Sequence, residues 1–91
     1  MTKTFSSNTT IPVGITAGCE FSVAVPSGIE GTLSVRWLQN GSEKQFASGD
    51  TGQFVAADER VFVNCGDADE IHLVLSGQST FPFSVTFTNL R

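Results

Sequence analysis

Apolar and polar residues alternate with a period of two along most of this chain. Cys19, Phe21, Val23 and Val25 alternate with Glu20, Ser22 and Ala24, and Leu33, Val35 and Trp37 alternate with Thr32, Ser34 and Arg36. Val61, Val63 and Cys65 alternate with Arg60, Phe62 and Asn64, and Ile71, Leu73 and Leu75 with Glu70, His72 and Val74. Near the end, Phe81, Phe83, Val85 and Phe87 alternate with Pro82, Ser84, Thr86 and Thr88. Successive side chains of a strand point to opposite faces, so each segment predicts a strand with one apolar face. Five such segments call for antiparallel sheets stacked over a shared core.

The punctuation between segments agrees. Pro26-Ser27-Gly28, Gly49-Asp50-Thr51-Gly52, Gly66-Asp67-Ala68-Asp69 and Gly77-Gln78-Ser79 read as turns, at the spacing of a sandwich or barrel. Asn40-Gly41 fits a two-residue type I′ turn, whose central residues both need positive φ. That turn sets Gln39 opposite Ser42 and Val35 opposite Phe46, which keeps two apolar residues on one face. The strand segments fall at 3–6, 11–15, 19–25, 31–39, 43–48, 53–56, 60–65, 70–76 and 81–88. The best helical stretch, Ala56 to Arg60, is too short to stand alone. The expected fold is all-β, an antiparallel β-sandwich of Ig-like or jelly-roll-like kind with about eight strands. Residues 1–10 are expected as a flexible N-terminal arm and 11–91 as one sandwich domain.

Composition narrows the function classes. Of the 91 residues, five are Lys or Arg and nine are Asp or Glu, for a net charge of −4. The cations are scattered singly, whereas nucleic-acid binding needs them clustered against phosphates; contact with anionic lipid is disfavoured for the same reason. Charged residues make up 15% of the chain, and Ser, Thr, Asn and Gln carry most of the polar surface. A surface of that kind suits coverage by another protein. Residues 1–10 lack the apolar stretch of a signal peptide, and no run approaches the roughly 20 apolar residues that span a bilayer. The expectation is a cytoplasmic product, with Cys19 and Cys65 as buried thiols. Asn8-Thr9-Thr10 and Asn40-Gly41-Ser42 match the glycosylation acceptor pattern, which carries no meaning without secretion.

Candidate chemistry is sparse. His72 is the single histidine and lies on the strand face opposite Ile71, Leu73 and Leu75, as a half-exposed strand residue would. Asp67, Asp69 and Glu70 could offer hard oxygen ligands to Ca²⁺, but their spacing is not that of an EF-hand and matches an ordinary turn. Asp50 and Asp58 sit in other turns. No nucleophile elbow, Walker loop or dinucleotide fingerprint occurs. The expectation is a protein that is not an enzyme and uses no metal or cofactor. Trp37 could stack on a sugar or a base, yet it is in phase with Leu33 and Val35, as a core Trp would be. Leu38, Phe62 and Val74 are out of phase with the core faces of their strands. On neighbouring strands they would form an outer apolar patch, a common mark of a protein interface.

Taken as a whole profile, the chain resembles the small β-sandwich decoration and accessory proteins of tailed bacteriophage capsids. The resemblance runs from the polar start Thr2-Lys3-Thr4-Phe5-Ser6-Ser7 through successive Ser/Thr/Val/Phe strands to Phe83-Ser84-Val85-Thr86-Phe87-Thr88. It covers most of the chain and is carried by no single motif. It implies a virion protein that binds the major capsid protein or another virion protein, often as a homotrimer at symmetry axes. Thr2, Lys3, Thr4 and Phe5 would then belong to an arm that orders on contact, with Leu38, Phe62 and Val74 as further contact residues. A head–tail or tail component is a related role. Two other classes remain. A small carbohydrate- or protein-binding sandwich module would show Trp37 exposed. A subunit or inhibitor of a bacterial enzyme would be a monomer with one affinity partner.

Overall fold

In a computed structural model, residues 1–14, 20–44, 52–63 and 70–90 are described. They are all-β, with no helix among them. The strands are β1 (Thr2–Phe5), β2 (Thr10–Gly14), β3 (Glu20–Val25), β4 (Thr32–Gln39), β5 (Ser42–Lys44), β6 (Gln53–Phe54), β7 (Asp58–Val63), β8 (Glu70–Ser76) and β9 (Phe83–Asn89). They form two antiparallel sheets packed as a β-sandwich. One sheet has the order β1-β9-β3-β7. The other runs β2-β8-β4-β5, with β6 also paired to β4.

The alternation read from the sequence builds the core directly. Phe21, Val23 and Val25 of β3 face Leu33, Val35 and Trp37 of β4 and Ile71, Leu73 and Leu75 of β8 across the sandwich, all buried. Phe83, Val85 and Phe87 of β9 complete the layer, and Phe83 is 5% exposed. Burying each large apolar side chain contributes roughly 1.5–3 kcal/mol. The rings of Phe21 and Phe87 lie stacked at 5.2 Å, and those of Phe21 and Phe62 at 5.3 Å. Phe54 meets Phe62 edge-on at 6.2 Å, a preferred arrangement for aromatic quadrupoles.

The β4–β5 hairpin closes as its turn residues require. Asn40 and Gly41 both adopt positive φ (51° and 81°), and Gln39 pairs with Ser42. Phe46, the expected partner of Val35, lies outside the described residues, as do Cys19, Cys65, Asp50, Asp67 and Asp69.

Two expectations are corrected. Residues 1–10 are not a free arm. Thr2–Phe5 pair with β9 from Thr2↔Thr86 to Phe5↔Phe83, and Phe5 is fully buried. The Met1 ammonium donates to the Phe87 carbonyl oxygen at 2.6 Å, and the Phe87 N–H donates to the Met1 carbonyl oxygen at 2.8 Å. A four-residue strand ending in a core Phe is anchored, not tethered, because release would expose that ring to water. The phase of β7 is also inverted. Phe62 is fully buried, while Val61 and Val63 are 55% and 43% exposed. One register or the other must face out, and inserting the aromatic ring between Phe21 and Phe54 removes more apolar surface than inserting a valine. The same register lays the Arg60 guanidinium 4.3 Å above the Phe54 ring.

Candidate functional site

The two outer sheet faces differ in chemistry. On the β1-β9-β3-β7 sheet the cross-strand ranks are Thr2–Thr86–Ala24–Glu59, Thr4–Ser84, Thr88–Ser22–Val61 and Glu20–Val63. Hydroxyl side chains fill the β1 and β9 positions, β3 contributes Ser22 and Ala24, and the margin holds the carboxylates Glu20 and Glu59 with the exposed Val61 and Val63. The hydroxyls of Thr4 and Ser84 lie 3.0 Å apart. Thr2, Thr4, Thr86 and Thr88 are exposed, while Ser22 is buried by its neighbours. Their periodicity put them outside the core, but a row of Thr on separate strands becomes a surface only once the strand order is known.

The outer face of β2-β8-β4-β5 is charged instead. Its ranks are Thr10–Val74–Ser34, Pro12–His72–Arg36 and Gly14–Glu70–Leu38–Glu43. His72 Nε2 lies 3.0 Å from Glu70 Oε1, and an Arg36 guanidinium nitrogen 3.6 Å from a Glu43 carboxylate oxygen. Both pairs are solvated, so each contributes at most about 1 kcal/mol.

The residues expected to form an apolar patch are not brought together. Leu38 and Val74 share this second outer face, half-buried, but Arg36 and His72 stand between them. Phe62 belongs to the other sheet and points into the core. Trp37 is 3% exposed and so offers no stacking platform. Of the expected arm residues, Thr2 and Thr4 present their side chains on the hydroxyl face; Lys3 is half-buried opposite Val85, and Phe5 is core.

One polar constellation escaped the sequence reading. Gln78 is 4% exposed and fastens three loops at one end of the sandwich. Its Oε1 accepts from the Glu30 and Gly31 N–H groups, and its Nε2 donates to the Gly28 and Thr80 carbonyl oxygens. The Asn8 amide exchanges two 2.9 Å hydrogen bonds with the Gln78 backbone. Nearby, the Glu30 carboxylate accepts from the Ser79 hydroxyl and from the Ser79 and Thr80 N–H groups. The Ser79 hydroxyl, then the Thr80 N–H, hold that carboxyl below its usual range. The donors and acceptors here serve one another, which makes this a structural clasp. Gln78 sits within an expected turn, and nothing in the local sequence marks a turn Gln as buried. Among the described residues, no three His, Cys, Asp or Glu side chains come together as metal ligands.

Compared with known proteins, the chain matches no family model, no curated protein and no solved structure. The outer surfaces therefore carry the functional argument.

Proposed function

We propose that this protein is a capsid decoration or accessory subunit of a tailed bacteriophage, docking on the coat lattice through the hydroxyl face of the β1-β9-β3-β7 sheet. The carrying observation is that face: β1 and β9 side by side present exposed Thr2, Thr4, Thr86 and Thr88, with the carboxylates Glu20 and Glu59 and the exposed Val61 and Val63 at its margin. Threonine offers a methyl and a hydroxyl on a short, stiff side chain, so little rotamer entropy is lost on contact. A low-charge face costs less to desolvate against protein than a charged one, provided its hydroxyls find hydrogen-bond partners in the contact. Such a face is small, and a repeating lattice compensates by presenting many equivalent sites to clustered subunits. The buried position of Trp37 weighs against the sugar-binding alternative.

The test is co-sedimentation with heads assembled from the coat protein of the same genome. Saturable binding at lattice stoichiometry is expected, and Thr86→Lys with Thr88→Lys should weaken it at least tenfold while the thermal transition stays in place. Absence of binding to assembled heads would sink the proposal.

A further inference from the structure

The sandwich has four lateral strand edges, and the hydrogen-bond phase shows which are guarded. In an antiparallel pair, alternate residues point their N–H and C=O groups toward the partner or away from it. The Leu75 N–H donates to the Thr9 carbonyl oxygen, so on β2 the odd residues face β8 and Pro12 faces the open side. A proline there has no N–H to offer an incoming strand. On the same sheet, β5 and β6 have only three and two residues. On the other sheet, β1 has four residues with Lys3 among them.

The edge at β7 is different. The Leu90 N–H donates to the Glu20 carbonyl oxygen, so Glu20 faces β9 and Phe21 faces β7. Phe62 opposite Phe21 is then a hydrogen-bonded partner of β3, and Glu59, Val61 and Val63 direct their N–H and C=O groups outward, the Glu59 N–H donating to Asp58 Oδ1. Among the described residues no strand pairs with that side. It is the longest of these edges, six residues, with its charges (Asp58, Glu59 and Arg60) confined to the first half, two exposed valines in the second half and no proline.

From this geometry we infer that β7 pairs antiparallel with β7 of a second copy of this chain about a two-fold axis. Charge narrows the register, and the cross-link below tests the choice among what is left. Centring the axis on Glu59 or Arg60 sets like charges opposite one another, which is unfavourable. Centring it on Val61 sets Val61 against Val61, Glu59 against the partner's Val63, and Arg60 against the partner's Phe62. That register joins the N–H and C=O groups of Val61 to their counterparts and brings the Val63 N–H to the partner's Glu59 carbonyl oxygen, while the Glu59 N–H keeps its 2.8 Å bond to Asp58 Oδ1; it also shields the exposed valines. Because one edge is unguarded and it complements itself, the contact is isologous and stops at two copies. A single strand pair is smaller than the about 800 Å² per partner of a standard interface, so the dimer dissociates on dilution.

The first experiment is light scattering coupled to size exclusion, up to millimolar protein. A dimer that reverts to monomer on dilution is expected, and a monomer or a trimer throughout would overturn the inference. Val61→Pro removes an outward N–H that pairs with no strand among the described residues, and should give a monomer with an unchanged circular dichroism spectrum. Thr4→Pro removes an outward N–H at β1 and should leave the dimer intact; dissociation by T4P, or a dimer surviving V61P, refutes β7 pairing. As a check that needs no stable dimer, opposed hydrogen-bonded residues lie about 5.5 Å apart at Cα, within the reach of a disulfide. Val61→Cys should therefore form a covalent dimer on oxidation, above the wild-type background, and its failure to do so would count against the register.

Discussion

At the residue scale, the exchange of Phe62 for Val61 on the core side of β7 is the most consequential detail. Phe62→Ala should cost roughly 3–5 kcal/mol, as truncation of a fully buried ring does. Val61→Ala should cost about 0.5 kcal/mol or less in the monomer, since that side chain stands in solvent. Urea unfolding at low protein concentration measures both, and equal losses would put the strand the other way round. Glu30 gives a second prediction. Its carboxyl is held below the usual range by the Ser79 hydroxyl and then the Thr80 N–H. A depressed folded pKa means that the contribution is complete above the ordinary Glu pKa and disappears as pH falls through the folded value. Glu30→Gln should therefore lower stability at neutral pH, flatten the acid limb of the stability profile, and change little once the pH is well below the ordinary Glu value of 4.5. An unchanged acid limb would show that the clasp gains nothing from the charge. Asp58 is depressed in the same direction, chiefly by the Arg60 side-chain hydrogen bond, so part of the acid dependence will remain in the variant.

At the element scale, β1 is a structural strand. Deleting residues 1–5 would uncover the β9 edge and remove Phe5 from the core. Loss of that ring alone should cost roughly 3–5 kcal/mol, a large part of the about 5–15 kcal/mol that holds a typical domain. A marked fall in the thermal midpoint is expected. A truncated chain that melts with the full-length one would restore the idea of a detachable arm. Two glycines show how different the demands on one residue type are. Gly41 is needed for its φ of 81°, with open space where a side chain would go. Gly31 is needed for space: a Cβ there would collide with the Ser76 carbonyl oxygen. Only the first could be anticipated from neighbours in sequence, because the second depends on where β8 ends.

At the scale of the whole molecule, the fold separates a hydroxyl face from a charged one and places them on opposite sides. This separation makes the proposed attachment to coat protein testable by salt. Binding through a face whose charges stand only at its margin should change little between low and physiological ionic strength, because screening acts on charges. Steep weakening with salt, measured by the same co-sedimentation, would move the contact to the face that carries Arg36, His72, Glu43 and Glu70. The unguarded β7 edge lies at the side of the sandwich, so pairing there leaves both faces uncovered.

The sequence by itself determined the strands, because a period of two is a local property of the chain and apolar faces must meet. It determined the Asn40-Gly41 hairpin for an equally local reason: few residue pairs accept positive φ twice in succession. The assignment of Phe21, Val35, Leu73, Phe83 and their in-phase neighbours to the core followed from the same alternation. The phase of β7 was decided by tertiary structure, since both of its faces carry apolar residues and only the space left between Phe21 and Phe54 favours the ring. The fate of Thr2–Phe5 was decided there too: a short polar segment reads as an arm until β9, 78 to 84 positions away, supplies a partner. The hydroxyl face, the Gln78 clasp and the open β7 edge all depend on strand order. Strand order is set by how two sheets close over one core, a long-range condition that no window of the sequence contains.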